Sequence, residues 1–232
     1  MAKHNVWMSV SDLMTGLMII FLFVAVAYMI QVQDNQSVLT EYVETKRDLH
    51  EKLVREFAGD TTRWVASVGT DLSMKFKNPE VLFATGKYEL TDSFKTILNE
   101  FIPRYLNILL NDSLNNKIKE IRIEGHTDDV PAPQFHSDPY IANAMLSQLR
   151  AVSVLYHIRL MPTYQQYTQE QKEKLEFWFT ANGLSYGRAL DDDGEYVYKT
   201  RRPINRDQSR RVEFRIVTAG DEVLENFVDK NK

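Results

Sequence analysis

The 232-residue chain has no cysteine, so neither a disulfide framework nor a thiolate metal site is open to it. It also lacks any excess of basic charge. Its 28 Lys and Arg stand against 32 Asp and Glu, a net charge of −4, whereas a nucleic-acid footprint needs a strongly basic face. No nucleic-acid partner is expected. Internal repeats and low-complexity tracts are absent, which excludes a repeat array. Charge is missing altogether from one stretch, Leu13 to Ile30, which reads LMTGLMIIFLFVAVAYMI. The rest of the chain is polar enough to bring the mean hydropathy to −0.36.

That stretch is close to the roughly 20 residues a helix needs to cross a bilayer. Extending it back to Val6 takes Ser9, Ser11 and Asp12 into the span. At helical spacing Ser9, Asp12 and Gly16 share a face, with Thr15 beside them, a small and polar stripe of the kind found at helix–helix interfaces in membranes. An Asp at a helix centre costs about 2.5–3.5 kcal/mol on insertion scales, less if it is protonated or faces a partner subunit. Three readings are open. Asp12 is an N-terminal cap just outside the membrane; or the segment is a signal peptide, with Lys3 before the apolar run and Ala25-Val26-Ala27 as its cleavage site; or it is a transmembrane helix whose Asp12 binds and releases a proton. The third is favoured. Lys3 before the span, with Gln31, Gln33 and Asp34 after it, puts the N-terminus in the cytoplasm by the positive-inside rule.

Residues 36–58 hold no Gly or Pro and are rich in helix formers. Leu39, Tyr42, Leu49, Leu53 and Glu56 recur at short helical steps, an imperfect heptad that either pairs two copies or lies on its own domain. Gly59-Asp60 ends it. The expected organisation is a cytoplasmic N-terminus and transmembrane helix over 1–35, a linker helix over 36–60, a globular domain over 61–220 and a tail over 221–232. Within the domain, Leu72, Met74 and Phe76 alternate as a strand, as do Lys119–Glu124 and Arg211–Val217. Helices are expected over Thr91–Leu110, kinked or split at Pro103, over Ala142–Leu160 with Met145, Leu149, Val152 and Tyr156 on one face, and over Thr163–Ala181. Asp191-Asp192-Asp193-Gly194 between two short apolar runs reads as a hairpin turn. It is favoured over a calcium loop because the EF-hand spacing is missing. The fold class is α+β, with helices on one face of a small mixed sheet.

The chemistry gathers where the strand KEIRIE runs into GHTDD, Gly125 to Asp129. Asn143, Leu146-Ser147 and Arg150-Ala151 follow on the next helix. An Asp in a strand-end loop and an Arg on that helix can converge on a zwitterion, Asp128 holding an ammonium and Arg150 a carboxylate. The same pair equally fits a surface salt bridge worth about 0–1 kcal/mol. His126 and His136 have no third ligand at suitable spacing, so no metal site is expected. No hydrolytic constellation is visible, and neither enzyme activity nor a cofactor is expected.

EGHTDD, then Asn143, Leu146, Ser147, Arg150 and Ala151, then NRDQSRRVEF at Asn205–Phe214, resemble the OmpA-like peptidoglycan-binding domain, and VLFATGKYEL resembles its opening segment. The resemblance runs from about Leu72 to Val217. It implies diaminopimelate of the peptide stem as ligand, held by Asp128 and Arg150 with Thr127 and Asn143 as neighbours. Many members have a glycine soon after the TD pair. Here VPAPQFHSDPY follows, closer to the stator B-subunit branch. SDLMTGLMIIFLF is similar to the transmembrane segment of those stator subunits, the MotB family, and its wording and short lead are most similar to the ZorB branch found in Zorya anti-phage systems. The resemblance implies a proton-conducting Asp12, an inner-membrane location with a periplasmic C-terminal domain, and a homodimer inside a ring, pentameric by family, of a polytopic MotA- or ZorA-like partner. The rival functions are a flagellar stator subunit and a purely structural wall anchor without ion flow.

Overall fold

The computed structural model describes residues 6–221, and for residues 6–9, 34, 35, 37 and 38 the backbone alone. The side chain of Ser9 and, Asp221 apart, the expected tail lie outside the described residues. The chain divides into two compact units, one ending at Glu44 and one beginning at Thr45.

The first unit belongs to helix α1 (Val6–Phe57). Val10–Gln33 forms a 24-residue span of mean hydropathy 2.5 with none of it buried. At about 1.5 Å per residue it exceeds the ~30 Å hydrocarbon layer. Among the described residues it is the one helix long and apolar enough to cross a membrane. Residues 6–11 are already helical, so Asp12 sits inside the helix, and the capping reading of Asp12 is corrected.

The second unit starts with the last turns of α1. Leu49, Leu53 and Phe57, four residues apart, are all completely buried, and Phe57 stacks at 5.1 Å on Phe101. Each such side chain contributes roughly 1.5–3 kcal/mol by burial. This part of the heptad therefore lies on its own domain, the second of the two readings. After it come α2 (Thr61–Trp64), β1 (Ala66–Val68), β2 (Ser73–Phe76), α3 (Pro79–Leu82), α4 (Asp92–Leu109), β3 (Ile118–Gly125), α5 (Pro139–Leu160), α6 (Pro162–Gln165), α7 (Gln169–Trp178), β4 (Phe179–Gly183), α8 (Val197–Thr200), α9 (Arg206–Ser209) and β5 (Val212–Thr218).

The strands form one mixed sheet in the order β1-β2-β5-β3-β4, parallel at β3–β4 and antiparallel elsewhere. Period-two alternation sends Met74, Phe76, Ile121, Ile123, Phe214 and Ile216 into one core. Phe94, Leu98, Phe101 and Tyr105 of α4 and Val154 and Ile158 of α5 complete it. At the β4 edge the Gln148 amide accepts from Gly183 N–H at 2.7 Å and donates to Ala181 O at 3.0 Å. Those backbone groups are thereby withheld from edge-to-edge pairing.

Four expectations are corrected. The helix predicted over Thr163–Ala181 is two, α6 and α7, broken where Thr168 caps α7, and the second ends at Trp178 because the aromatic and β-branched run Phe179-Thr180 turns extended and pairs with β3. The second arm of the hairpin is a single helical turn, Val197–Thr200, and one bridge, Leu190 to Tyr196, remains. Of the kinked or split readings of α4 the split is ruled out, since the helix runs unbroken through Pro103; Phe101, Ile102, Tyr105 and Leu106 on both sides are held in the core, outweighing the roughly 3 kcal/mol cost of an interior proline. On α5 the face naming Met145, Val152 and Tyr156 is exposed, at 44%, 44% and 64%. The buried face is Ala142, Leu146, Ala151, Val154 and Ile158. The cause is a close approach. A Cβ on Gly125 would fall 2.2 Å from Ser147 O, and one on Gly183 2.4 Å from Gln148 N. At that separation the helix face over the strand ends holds small side chains, and the bulky ones turn outward.

Candidate ligand cavity and membrane carboxylate

Strand β3 ends at Gly125 and delivers His126, Thr127 and Asp128 to the sheet's edge. Thr127 is anchored by its N–H to Ser185 O at 3.1 Å. Helix α5, capped by Asp138, presents Asn143, Leu146 and Arg150 to the same place. These residues line one cavity of about 200 Å³, whose other walls include Phe83, Gly86, Val130, Ala132, Arg210 and Arg211. All four residues expected to bind ligand, Thr127, Asp128, Asn143 and Arg150, thus meet around a single space.

Their hydrogen bonding is incomplete in an informative way. Asp128 Oδ1 accepts from Val130 N–H at 3.0 Å, but its Oδ2 is buried without a hydrogen bond, as is Thr127 Oγ1. Arg150 donates from Nε to Lys87 O at 2.9 Å, and its guanidinium lies over the Phe83 ring at 4.8 Å. Among the described residues no ion pair within 4.0 Å joins it to Asp128. The salt-bridge alternative is therefore corrected: Asp128 and Arg150 are 4% and 6% exposed, neither on the surface nor neutralising each other directly. Burial pulls the Arg150 guanidinium down to about 10, against the opposing pull of Asp128. A buried acceptor without a hydrogen bond costs about 1–3 kcal/mol, so Asp128 Oδ2 and Thr127 Oγ1 each have room in the cavity for a donor.

Asn143 has a holding role as well. Its Nδ2 donates to Val130 O at 3.0 Å and to Pro139 O at 3.1 Å, fixing the loop that departs from the family pattern. Asp129 points elsewhere, to an exposed pair with Arg206 at 2.8 Å. Sequence reasoning missed Arg210, whose Nε stands 3.5 Å from Asp128 Oδ2 without hydrogen-bonding it. The adjacent arginines of SRRVEF, immediately before a strand, were the available signal. It missed Phe83 too, since nothing local ties that ring to Arg150.

His126 leads into a second cluster. Its Nε2 lies 3.6 Å from Glu124 and 3.7 Å from Glu213. The three form the one group among the described residues with metal-ligand geometry, which corrects the expectation that no third ligand is near. Their carboxylates are already occupied. Arg211 pairs with Glu213 at 2.6 Å, Arg215 with Glu213 at 2.8 Å, with Glu124 at 3.2 Å and with Asp71, and Arg188 with Glu124 at 3.5 Å. Three carboxylates balance three guanidiniums, so an added dication would be uncompensated. Burial keeps His126 below its ordinary value, although Glu124 and Glu213 pull the other way. In the turn at Asp191, Oδ1 accepts from Asp193 and Glu195 N–H, and Arg202 pairs with Asp193, so a guanidinium stands beside these carboxylates.

In α1, Asp12 and Gly16 are exposed, a Cβ on Gly16 would meet open space, and Thr15 Oγ1 donates to Ser11 O at 2.8 Å.

A small mixed sheet backed by helices is the fold of MotB-like, OmpA-like domains. A solved MotB-like protein from Desulfovibrio vulgaris matches at a TM-score of 0.51 and 22% identity, over 77% of this chain and 98% of that one. The cell wall anchor of the T6SS from Pseudomonas aeruginosa matches at 0.44 and 21% identity, over 72% and 96%. The Zorya protein ZorB of Escherichia coli strain Crooks is 35% identical, over 97% of this chain and 92% of that protein. The chain belongs to the ZorB family. It is a single-pass membrane protein. No protein-family model matches it.

Proposed function

We propose that this chain is the wall-gripping subunit of a proton-driven, stator-like motor in the bacterial inner membrane, acting in a Zorya anti-phage system. The observation that carries the reading is the pair of buried, mutually unneutralised charges, Asp128 and Arg150, facing one cavity. A diaminopimelate side chain presents an ammonium and a carboxylate on one carbon, the complement of that pair. The N-terminus lies in the cytoplasm and the cavity-bearing domain in the periplasm, where the wall is. Two copies place their α1 helices inside a ring, pentameric by family resemblance, of a ZorA- or MotA-like polytopic subunit. The stripe of Ser9, Asp12, Thr15 and Gly16 meets that ring. Loss and gain of a proton at Asp12 changes the charge at the contact. The membrane potential supplies about 2.3 kcal/mol per charge per 100 mV to bias each step, and the anchored domain makes the ring turn rather than the dimer.

The test is a muropeptide-binding titration on the full-length protein in detergent, run beside a proton-flux assay with its membrane partner. Arg150→Gln is expected to remove binding and Asp12→Asn to remove flux. Wild-type protein that binds no diaminopimelate-containing muropeptide would end the anchoring half of the proposal.

A further inference from the structure

The cavity has more positive charge than a zwitterion needs. Asp128 is flanked by two guanidiniums: Arg150, 6% exposed, and Arg210, whose side chain is 30% exposed. Of the other charged groups in the lining, Arg211 is committed to Glu213 at 2.6 Å and Glu80 sits exposed at the rim, where water screens it. Arg210 is paired by one arm with Asp207 at 2.6 Å, a carboxylate 78% exposed and screened by water, while its Nε, 3.5 Å from Asp128 Oδ2, is buried without a hydrogen bond. Arg210 also pushes the Arg150 guanidinium toward lower values, as a like charge close by must. The interior thus carries one negative and two positive groups.

We infer that Arg210 is a specificity-determining residue, and that the cavity selects a diaminopimelate with one ammonium and both carboxylates free over one with a single free carboxylate. This rests on the proposed wall-binding role. In a stem peptide that ends on diaminopimelate, one amine is acylated, leaving one ammonium and two free carboxylates, net charge −1. When an alanine follows, that carboxylate becomes an amide, and the negative charge moves one residue outward to the alanine's own carboxylate. Arg150 takes the carboxylate beside the ammonium that Asp128 holds, and Arg210 takes the second. The domain therefore grips trimmed stems in preference to extended ones.

The experiment compares the muropeptide whose stem ends on diaminopimelate with the one extended by alanine, by calorimetric titration of the full-length chain in detergent. Wild type is expected to favour the shorter stem about tenfold, the scale of one lost charge-assisted contact. Arg210→Gln is expected to bind both at the affinity wild type shows for the longer one, and Arg210→Lys to keep part of the preference. Equal wild-type affinities would overturn the inference and leave the wall-binding role standing. So would an Arg210→Gln variant that weakens both ligands alike, the mark of a residue that only positions Asp128. Binding of neither stem by wild type would overturn the wall-binding role and this inference with it.

Discussion

Asp128 has Arg210, not Arg150, as its ion-pair neighbour: Arg210 Nε stands 3.5 Å from Asp128 Oδ2, and that oxygen makes no hydrogen bond. On the proposed wall-binding role, the ligand joins that carboxylate to Arg150. Removing one member of a buried charge pair costs about 2–5 kcal/mol. Asp128→Asn and Arg150→Gln are each expected to weaken muropeptide binding by roughly 30-fold or more. Asp129→Asn, whose partner Arg206 is exposed, is expected to change it by less than about twofold. Calorimetric titration separates the outcomes. An Asp129→Asn loss as deep as that of Asp128→Asn would show the wrong carboxylate has been chosen.

The backbone contact between β3 and α5 holds the helix that carries Asn143 and Arg150 against the strand end that leads into Asp128. A Cβ on Gly125 would sit 2.2 Å from the backbone oxygen of Ser147, and neither side of that contact has a flexible end to move aside. Gly125→Ala must push α5 away from the strand end that leads into Thr127 and Asp128. Overpacking of this kind costs about 1–3 kcal/mol. The expected result is a melting temperature lowered by a few degrees and binding weakened in parallel. Gly59→Ala, where a Cβ meets nothing within 4 Å, is the comparison and should leave binding unchanged.

The balanced cluster behind the cavity makes stability depend on pH with a definite sign. Burial alone would raise Glu124, but His126 and Arg215 hold it at about 2. Burial likewise opposes, and Ser73 and Arg215 overcome, at Asp71, also at about 2. With folded values below the unfolded ones, their stabilisation is complete above pH 4.5 and is lost as pH falls toward 2. His126 works over a higher window. Burial lowers it in the fold, so the unfolded chain binds its proton first, and stability begins to fall below the ordinary value of 6.5. Thermal melts from pH 8 to 3 should show a decline starting near 6.5 and steepening below 4.5. His126→Gln is expected to flatten the first part. An unchanged slope between pH 6.5 and 5 in that variant would refute the neutral-histidine account.

The sequence was readable where the signal is local. Alternation found β2, β3 and β5, and a strand end followed by a helix brought Asp128 and Arg150 together within a few dozen residues, while Thr127 and Asn143, which line the same cavity, came from the family resemblance. It was silent where a distant surface decides. The buried face of α5 depends on Gly125 and Gly183 letting the helix come close, and side-chain size alone pointed to the opposite face. Strand β4 was hidden because its residues continue a helix-forming run until β3 offers them hydrogen bonds. Arg210 and Phe83 reach the cavity from two segments far apart in the chain, and no spacing joins them to Asp128 and Arg150.

Burial also places the start of the folded unit. Leu49, Leu53 and Phe57 are completely buried, and Arg104 ties α4 to Glu56 and Asp60 at 2.6 Å. A fragment beginning at Thr61 would expose the hydrophobic surface these residues cover. Phe57→Ala in the full-length chain is expected to cost about 3–5 kcal/mol. Fragments beginning at Thr45 should melt cooperatively, and those beginning at Thr61 should not. Equal melting of the two would remove α1 from the domain's core.

Asp12 gives the sharpest separation between a motor and a passive anchor. Asn has nearly the same shape as Asp and keeps an oxygen that accepts hydrogen bonds, but it cannot titrate. If α1 only tethers the domain, Asp12→Asn should leave phage protection intact and spare the ~2.5–3.5 kcal/mol insertion cost of the charge. If Asp12 carries protons, the variant should assemble with its membrane partner at wild-type levels, pass no protons and give no protection. Asp12→Glu, which still titrates, should retain a fraction of both. The decisive measurement is proton uptake into vesicles holding the purified complex. Flux through Asp12→Asn at the wild-type rate would leave a wall anchor and no motor.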